Sequence, residues 1–117
     1  MTEPKGLEAL EAAIAHDFAT LNHPPLNWVP ERPGPDGRAM LDVLIVGAGM
    51  CGLTAAFHFQ RLGMHKTRLI DAAVEGRQGP WRTFARMETL RSPKHLTGPA
   101  SGMANLAFRA WWEAQHG

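Results

Sequence analysis

The chain has 117 residues, of which 44% are apolar and 20% are charged, and its formal net charge is +1. This composition permits one small globular domain, and the near-neutral charge provides no global field for binding nucleic acid. The longest apolar stretch, around Leu41 to Val46, is far shorter than the roughly 20 residues of a membrane span. The single cysteine, Cys51, excludes an intramolecular disulfide. With no leader pattern at the amino end, we expect a soluble, cytoplasmic protein.

Residues 7–21 predict an amphipathic helix, because the apolar residues recur at helical spacing. Those on the predicted apolar face are Leu7, Leu10, Ile14, Phe18 and Leu21. Residues 22–41 contain five prolines, which favour an extended connector. Trp28 in this connector either anchors it to another domain or subunit or, as we favour, packs on its own core. We therefore divide the chain into an N-terminal helix (1–21), a connector (22–41) and a domain (42–117).

The most informative segment is DVLIVGAGMCGLTAAFHFQRLGMHKTRLID, residues 42–71. Val43 to Val46 predict a short strand, and its continuous apolar character is typical of a parallel strand covered on both faces. Gly47, Gly49 and Gly52 follow, then a helical stretch that Gly63 could cap. A second apolar run, from Arg68 to Ile70, leads into Asp71. This order predicts a β-α-β unit of the dinucleotide-binding kind.

Each glycine has a physical reason in such a unit. Gly47 permits the turn, Gly49 lets the backbone approach a pyrophosphate, and Gly52 allows close packing of helix on strand. The amino end of the helix, Met50 to Gly52 with Cys51 between them, then faces the phosphates with unpaired N–H groups and a partial positive charge.

Asp71 follows the last glycine of the pattern by nineteen residues. Its carboxylate is placed to accept hydrogen bonds from an adenosine ribose, and it disfavours a ribose 2′-phosphate. FAD or NAD is therefore preferred over NADP. The alternative is a strand, turn and helix that bind nothing.

Residues 72–100 predict a long ordered loop, because Trp81, Phe84, Met87 and Leu90 supply apolar anchors between the charges. A short helix is predicted from about Ala107 to His116. No further strand pattern follows Asp71, so the predicted fold class is α/β, a partial Rossmann-like unit with an incomplete doubly wound sheet. We expect this chain to be the beginning of a larger protein.

Other chemistries have less support. The six histidines form no close ligand cluster, so no metal is predicted. The cysteine in the glycine pattern is interpreted as a small packed side chain. The loop is locally basic and could attract anions, although a solvated loop is the favoured interpretation. Its basic residues are Arg77, Arg82, Arg86, Arg91 and Lys94.

The stretch GAGMCGLTAAFHFQRLG, followed by LID and GRQGPW, resembles the N-terminal FAD-binding segment of NAD(P)H-dependent flavoprotein monooxygenases. That superfamily includes Baeyer–Villiger, flavin-containing and amine N-hydroxylating enzymes. The resemblance implies that the three glycines contact the FAD pyrophosphate, that Asp71 contacts the ribose, and that Gly79 and Trp81 lie close to the flavin. Pro80 replaces a residue with an N–H group in many relatives, which puts contacts through that amide in doubt.

The resemblance also implies the reaction, in which NAD(P)H reduces the flavin and the flavin activates dioxygen. We expect the chain to be the FAD-binding portion of such an enzyme, inactive without a missing C-terminal region or partner subunit. Two alternatives remain open: one subunit of a split flavoprotein, or a non-catalytic dinucleotide-binding module. A homo-oligomer is a further possibility. Neither a membrane nor nucleic acid is an expected partner.

Overall fold

The computed structural model describes residues 5–89, 91–93, 95, 96 and 98–117, so Leu90 and Lys94 of the predicted loop lie outside the described residues. The elements are α1 (Leu7–Thr20), β1 (Val43–Val46), α2 (Met50–Arg61), β2 (Thr67–Ile70), a 3-10 helix (Ala104–Leu106) and α3 (Phe108–His116). Contacts divide the chain into two compact units. The central unit comprises residues 24–86, and the terminal unit combines residues 1–23 with 87–117.

The central unit is a β-α-β unit. Strands β1 and β2 pair in parallel, with Val43 opposite Thr67 and Val46 opposite Ile70, and α2 packs on both strands. The α/β fold class predicted from sequence is confirmed, and β1 has the predicted bounds. Because the described sheet has only two strands, the assignment to a Rossmann-like fold stays a prediction.

The turn from β1 into α2 depends on two glycines. Gly47 has a φ of +106°, in the left-handed region that side chains rarely adopt. A Cβ added at Gly52 would lie 1.7 Å from the carbonyl oxygen of Gly47. No side chain can occupy that space, so the first turn of α2 lies directly against the end of β1.

Helix α2 ends in a Schellman motif. The N–H of Gly63 donates to Gln60 O at 3.1 Å, and the N–H of Met64 donates to Phe59 O at 2.9 Å. Gly63 has a φ of +78°, as its predicted capping role requires. A Cβ there would come within 2.8 Å of the Trp28 ring.

The connector lies against this same turn. The indole N–H of Trp28 donates to Leu62 O, and the Nζ of Lys66 donates to Val29 O at 2.9 Å while pairing with Asp42 at 3.6 Å. Trp28 therefore contacts its own unit, which is the interpretation favoured from the sequence.

The terminal unit joins the two ends of the chain. α1 contacts both α3 and the 3-10 helix, and Asn105 Nδ2 donates to Asp17 Oδ2 at 2.7 Å. Both predicted helices are present, although α3 begins at Phe108, with Ala107 as its N-cap. No helix among the described residues is both long and apolar enough to cross a membrane.

The close approach at Gly52 predicts a large effect of one methyl group. Alanine is favoured over glycine by about 1 kcal/mol within a helix, but in Gly52→Ala the clash with the Gly47 carbonyl opposes this. We expect a net destabilisation of about 2 kcal/mol, measured by urea unfolding followed by circular dichroism.

The matched control is Gly98→Ala, because a Cβ at Gly98 meets nothing within 4 Å. Equal stability of the two variants would contradict the packing that we describe at Gly52.

Candidate functional site

The carboxyl ends of the two strands form the candidate site. The N–H of Gly47 donates to Ile70 O at 2.7 Å, which extends the strand pairing by one bond. The next residue, Asp71, links the segment that follows β1 to the segment that follows β2. Its Oδ2 accepts from the Ala48 N–H at 2.7 Å, and its Oδ1 accepts from the Ala73 N–H at 2.7 Å.

These bonds stabilise the charged form of Asp71. The Ala48 N–H, followed by the Ala73 N–H, stabilises the ionised carboxylate and lowers the pKa of Asp71 below its ordinary value, against a smaller opposing effect of burial. The site therefore holds a negative charge at neutral pH, beside the backbone of the glycine turn.

The amino end of α2 lies at the same edge of the sheet. Gly49 is its N-cap, in extended conformation, and no side chain within the described part of the chain caps the helix. The first intrahelical bond there runs from the Leu53 N–H to Gly49 O at 3.0 Å. The N–H groups of Met50, Cys51 and Gly52 precede it and so have no acceptor within the helix.

The side chain of Cys51 is exposed. The prediction that Cys51 is a packed side chain is therefore wrong. Sequence spacing placed it in the first turn of the helix but did not determine which side of that turn meets the sheet.

The loop after β2 returns to the glycine turn. A Cβ built on Gly49 would lie 3.8 Å from the Cα of Gly79, so the two backbones are adjacent. Gly79 has a φ of +74°, and its carbonyl accepts from Thr83 Oγ1 at 2.9 Å. The structure thus brings Gly79 to the site, whereas the ring of Trp81 is largely exposed.

Three exposed arginine side chains hydrogen-bond to carbonyl groups of this loop. Arg82 Nη1 donates to Gly76 O at 3.4 Å, Arg77 Nη2 to Arg82 O at 3.4 Å, and Arg86 Nη1 to Thr83 O at 2.9 Å. These arginines therefore bind loop carbonyl groups as well as solvent. The interpretation favoured from the sequence was a loop that is only solvated.

A cleft of about 480 Å³ opens beside Asp71. Its lining residues are Ala48, Leu53, Leu69, Asp71, Ala73, Glu75 and Gln78. The sequence analysis did not identify Glu75 and Gln78. Their position just after the second strand could have indicated that they line the site. Gln78 Oε1 accepts from the Gly76 N–H at 2.9 Å and so shapes the loop. Among the described residues, no group of three or more His, Cys, Asp or Glu side chains is arranged to hold a metal ion.

Comparison with known proteins gives one informative match. No family model matches the chain, and no solved structure matches it. The chain is 50% identical over 111 residues to a FAD-dependent urate hydroxylase from Xanthomonas campestris pv. campestris. The match covers 95% of this chain but 23% of the relative, so the chain spans less than a quarter of that protein's length.

This similarity is to a FAD-dependent oxidoreductase, the class that the sequence pattern resembles. The placement in the NAD(P)H-dependent monooxygenase superfamily stays a prediction.

The lowered pKa of Asp71 predicts a pH-dependent contribution to stability. A carboxylate with a depressed folded-state pKa stabilises the fold fully above its ordinary value of 3.8, and this contribution is lost as the pH falls through the folded-state pKa. Asp71→Asn replaces one acceptor oxygen by an NH₂ group, so we expect a lower melting temperature at pH 7. The difference from wild type should shrink below pH 3.8.

Thermal unfolding between pH 7 and pH 2.5 measures this difference. Glu75→Gln is the control, since it removes a carboxylate from the same cleft while leaving both backbone bonds of Asp71 intact. A constant difference across the pH range would contradict the role of the ionised carboxylate.

Proposed function

We propose that this chain is the FAD-binding portion of a flavin-dependent hydroxylase. The proposal rests on the arrangement around Asp71, whose carboxylate accepts hydrogen bonds from the segments that follow both strands. The amino end of α2 lies beside it, and no described side chain caps that end. A 50% identical relative that is named FAD-dependent supports FAD as the nucleotide.

The amino end of α2 fits a pyrophosphate. The N–H groups of Met50, Cys51 and Gly52 provide hydrogen-bond donors, and the helix dipole places a partial positive charge there. Gly47 and Gly49 bring the backbone close without a Cβ in the way. In this proposal these five residues hold the phosphates.

The ribose of the adenosine lies beside Asp71. An ionised carboxylate offers about four lone-pair positions, of which the N–H groups of Ala48 and Ala73 occupy two. The remaining positions can accept the two ribose hydroxyl groups. The cleft that Asp71 shares with Glu75 and Gln78 gives the adenosine a place to lie.

Gly79 and Trp81 are proposed to lie on the path toward the flavin ring. Gly79 is adjacent to Gly49, and the exposed indole of Trp81 is available to contact a ligand. When bound, FAD would supply the redox chemistry that hydroxylates the substrate, with NAD(P)H as reductant and dioxygen as the source of the oxygen atom. We propose a urate-like purine as substrate of the whole protein, following the relative's name.

The isolated chain is proposed to be inactive, because its sequence holds no second glycine pattern for a nicotinamide nucleotide. Its contribution is to bind and orient the ADP half of FAD. The groups proposed to bind FAD all lie in the central unit. The division of the chain into a FAD-binding domain of residues 42–117 and a connector of residues 22–41 stays a prediction.

The single cysteine provides a direct test of pyrophosphate binding. Because Cys51 is exposed and lies in the first turn of α2, a bound pyrophosphate covers it. We expect FAD to slow the reaction of Cys51 with a maleimide at least fivefold, measured by mass spectrometry of the purified chain.

ADP should protect equally well, and riboflavin, which lacks the pyrophosphate and the adenosine, should not protect. A rate that FAD leaves unchanged at saturating concentration would contradict the proposed phosphate site. Flavin absorbance of the gel-filtered protein gives an independent measure of binding.

The negative charge of Asp71 predicts discrimination against a 2′-phosphate. Like charges at the ribose repel, so we expect adenosine 2′,5′-bisphosphate to compete with FAD at least tenfold more weakly than 5′-AMP, which differs from it only by the absence of the 2′-phosphate. Fluorescence of FAD measures the competition, and Asp71→Asn should reduce the preference. Equal competition by both nucleotides in the wild type would contradict the placement of the ribose at Asp71.

A further inference from the structure

One face of the two-stranded sheet is uncovered. Strand register places Leu44 beside Arg68 and Val46 beside Ile70, and alternation along the strands puts all four side chains on one face. Leu44, Val46 and Ile70 are 52%, 77% and 44% exposed. We call these four residues the bare face.

The opposite face differs in burial. Val43, Ile45, Thr67 and Leu69 are half-buried, on a sheet whose strands both contact α2. Parallel sheets occur almost only where both faces are covered. Three adjacent apolar side chains on the bare face therefore make it a candidate surface for burial against further polypeptide.

We infer that the bare face is the docking surface for the polypeptide that completes the flavoprotein. This inference rests on the proposed function for the identity of that polypeptide. The relative matches 95% of this chain, yet more than three quarters of its own length lies outside the match. That remainder is the occupant to which we commit, and it presents an apolar stripe to Leu44, Val46 and Ile70.

Charge argues against a second copy of this chain as the occupant. A two-fold interface uses the same patch on both subunits, so it would bring two Arg68 guanidinium groups into one small apolar contact. A different polypeptide can instead offer Arg68 a carboxylate or backbone carbonyl groups.

The test uses the full chain, carrying an affinity tag, co-expressed with the part of the Xanthomonas campestris hydroxylase that lies outside the match. We expect the tagged wild-type chain to recover this second polypeptide at a one-to-one ratio. Leu44→Glu and Val46→Glu should each reduce the recovery at least tenfold, because a carboxylate would be buried in an apolar contact.

Leu26→Glu is the matched control, since Leu26 is 90% exposed and its backbone lies beside Gly63 at the end of α2, and recovery should stay at the wild-type level. Circular dichroism of each variant alone checks folding. Leu44→Glu places its carboxylate opposite Arg68, so the isolated sheet should tolerate it.

Failure of the wild-type chain to recover the second polypeptide overturns the inference, as does undiminished recovery by both bare-face variants. A wild-type dimer in light scattering that Val46→Glu dissociates would identify a second copy as the occupant and also overturn the inference.

Flavin content is measured separately. A flavin-free complex would contradict the proposed function alone, and a flavin-loaded chain without a complex would contradict docking alone.

Discussion

The candidate site depends on the close approach of Gly52 to the carbonyl group of Gly47. A Cβ at Gly52 would lie 1.7 Å from that oxygen, so the start of α2 can lie there only because the residue is glycine. The contact places the free N–H groups of the first helical turn at the end of β1. Since β2 pairs with β1 in register, Asp71 then emerges beside the same turn.

Asp71 links the structure of the site to its proposed chemistry. By accepting from Ala48 and Ala73 it holds the glycine turn and the following loop in place before any ligand arrives. The same two bonds lower the pKa of the carboxylate, which extends its ionised form to lower pH. In the proposed complex, a ribose hydroxyl would meet a charged acceptor whose position is already fixed, which would reduce the ordering cost of binding.

Local patterns in the sequence predicted the elements well. The apolar run fixed the bounds of β1, the left-handed conformation at Gly63 follows from its place after the helix, and the position of Asp71 was correctly placed at the end of β2. The sequence could not show which N–H groups Asp71 would bind, because a bond between residues 71 and 48 depends on strand register. For the same reason the approach of Gly79 to Gly49 was not evident. The exposure of Cys51 depends on the rotation of α2, which spacing alone does not determine.

Because the chain is incompletely buried, the binding of its two proposed ligands, a dinucleotide and a polypeptide, would be linked. Among the described residues only Ala100 and Met103 are buried apolar residues, and both lie in the terminal unit. The apolar side chains of the central unit, such as Val43, Ile45 and Leu69, are at most half-buried, so burial stabilises this unit less than a closed core would. A dinucleotide at the strand ends and a polypeptide on the bare face would occupy different surfaces of the same folded unit. Because each binds the folded unit and not the unfolded chain, each raises the population to which the other binds. The proposed cofactor and partner would then be thermodynamically coupled without touching one another, in proportion to the fraction of the isolated unit that is unfolded.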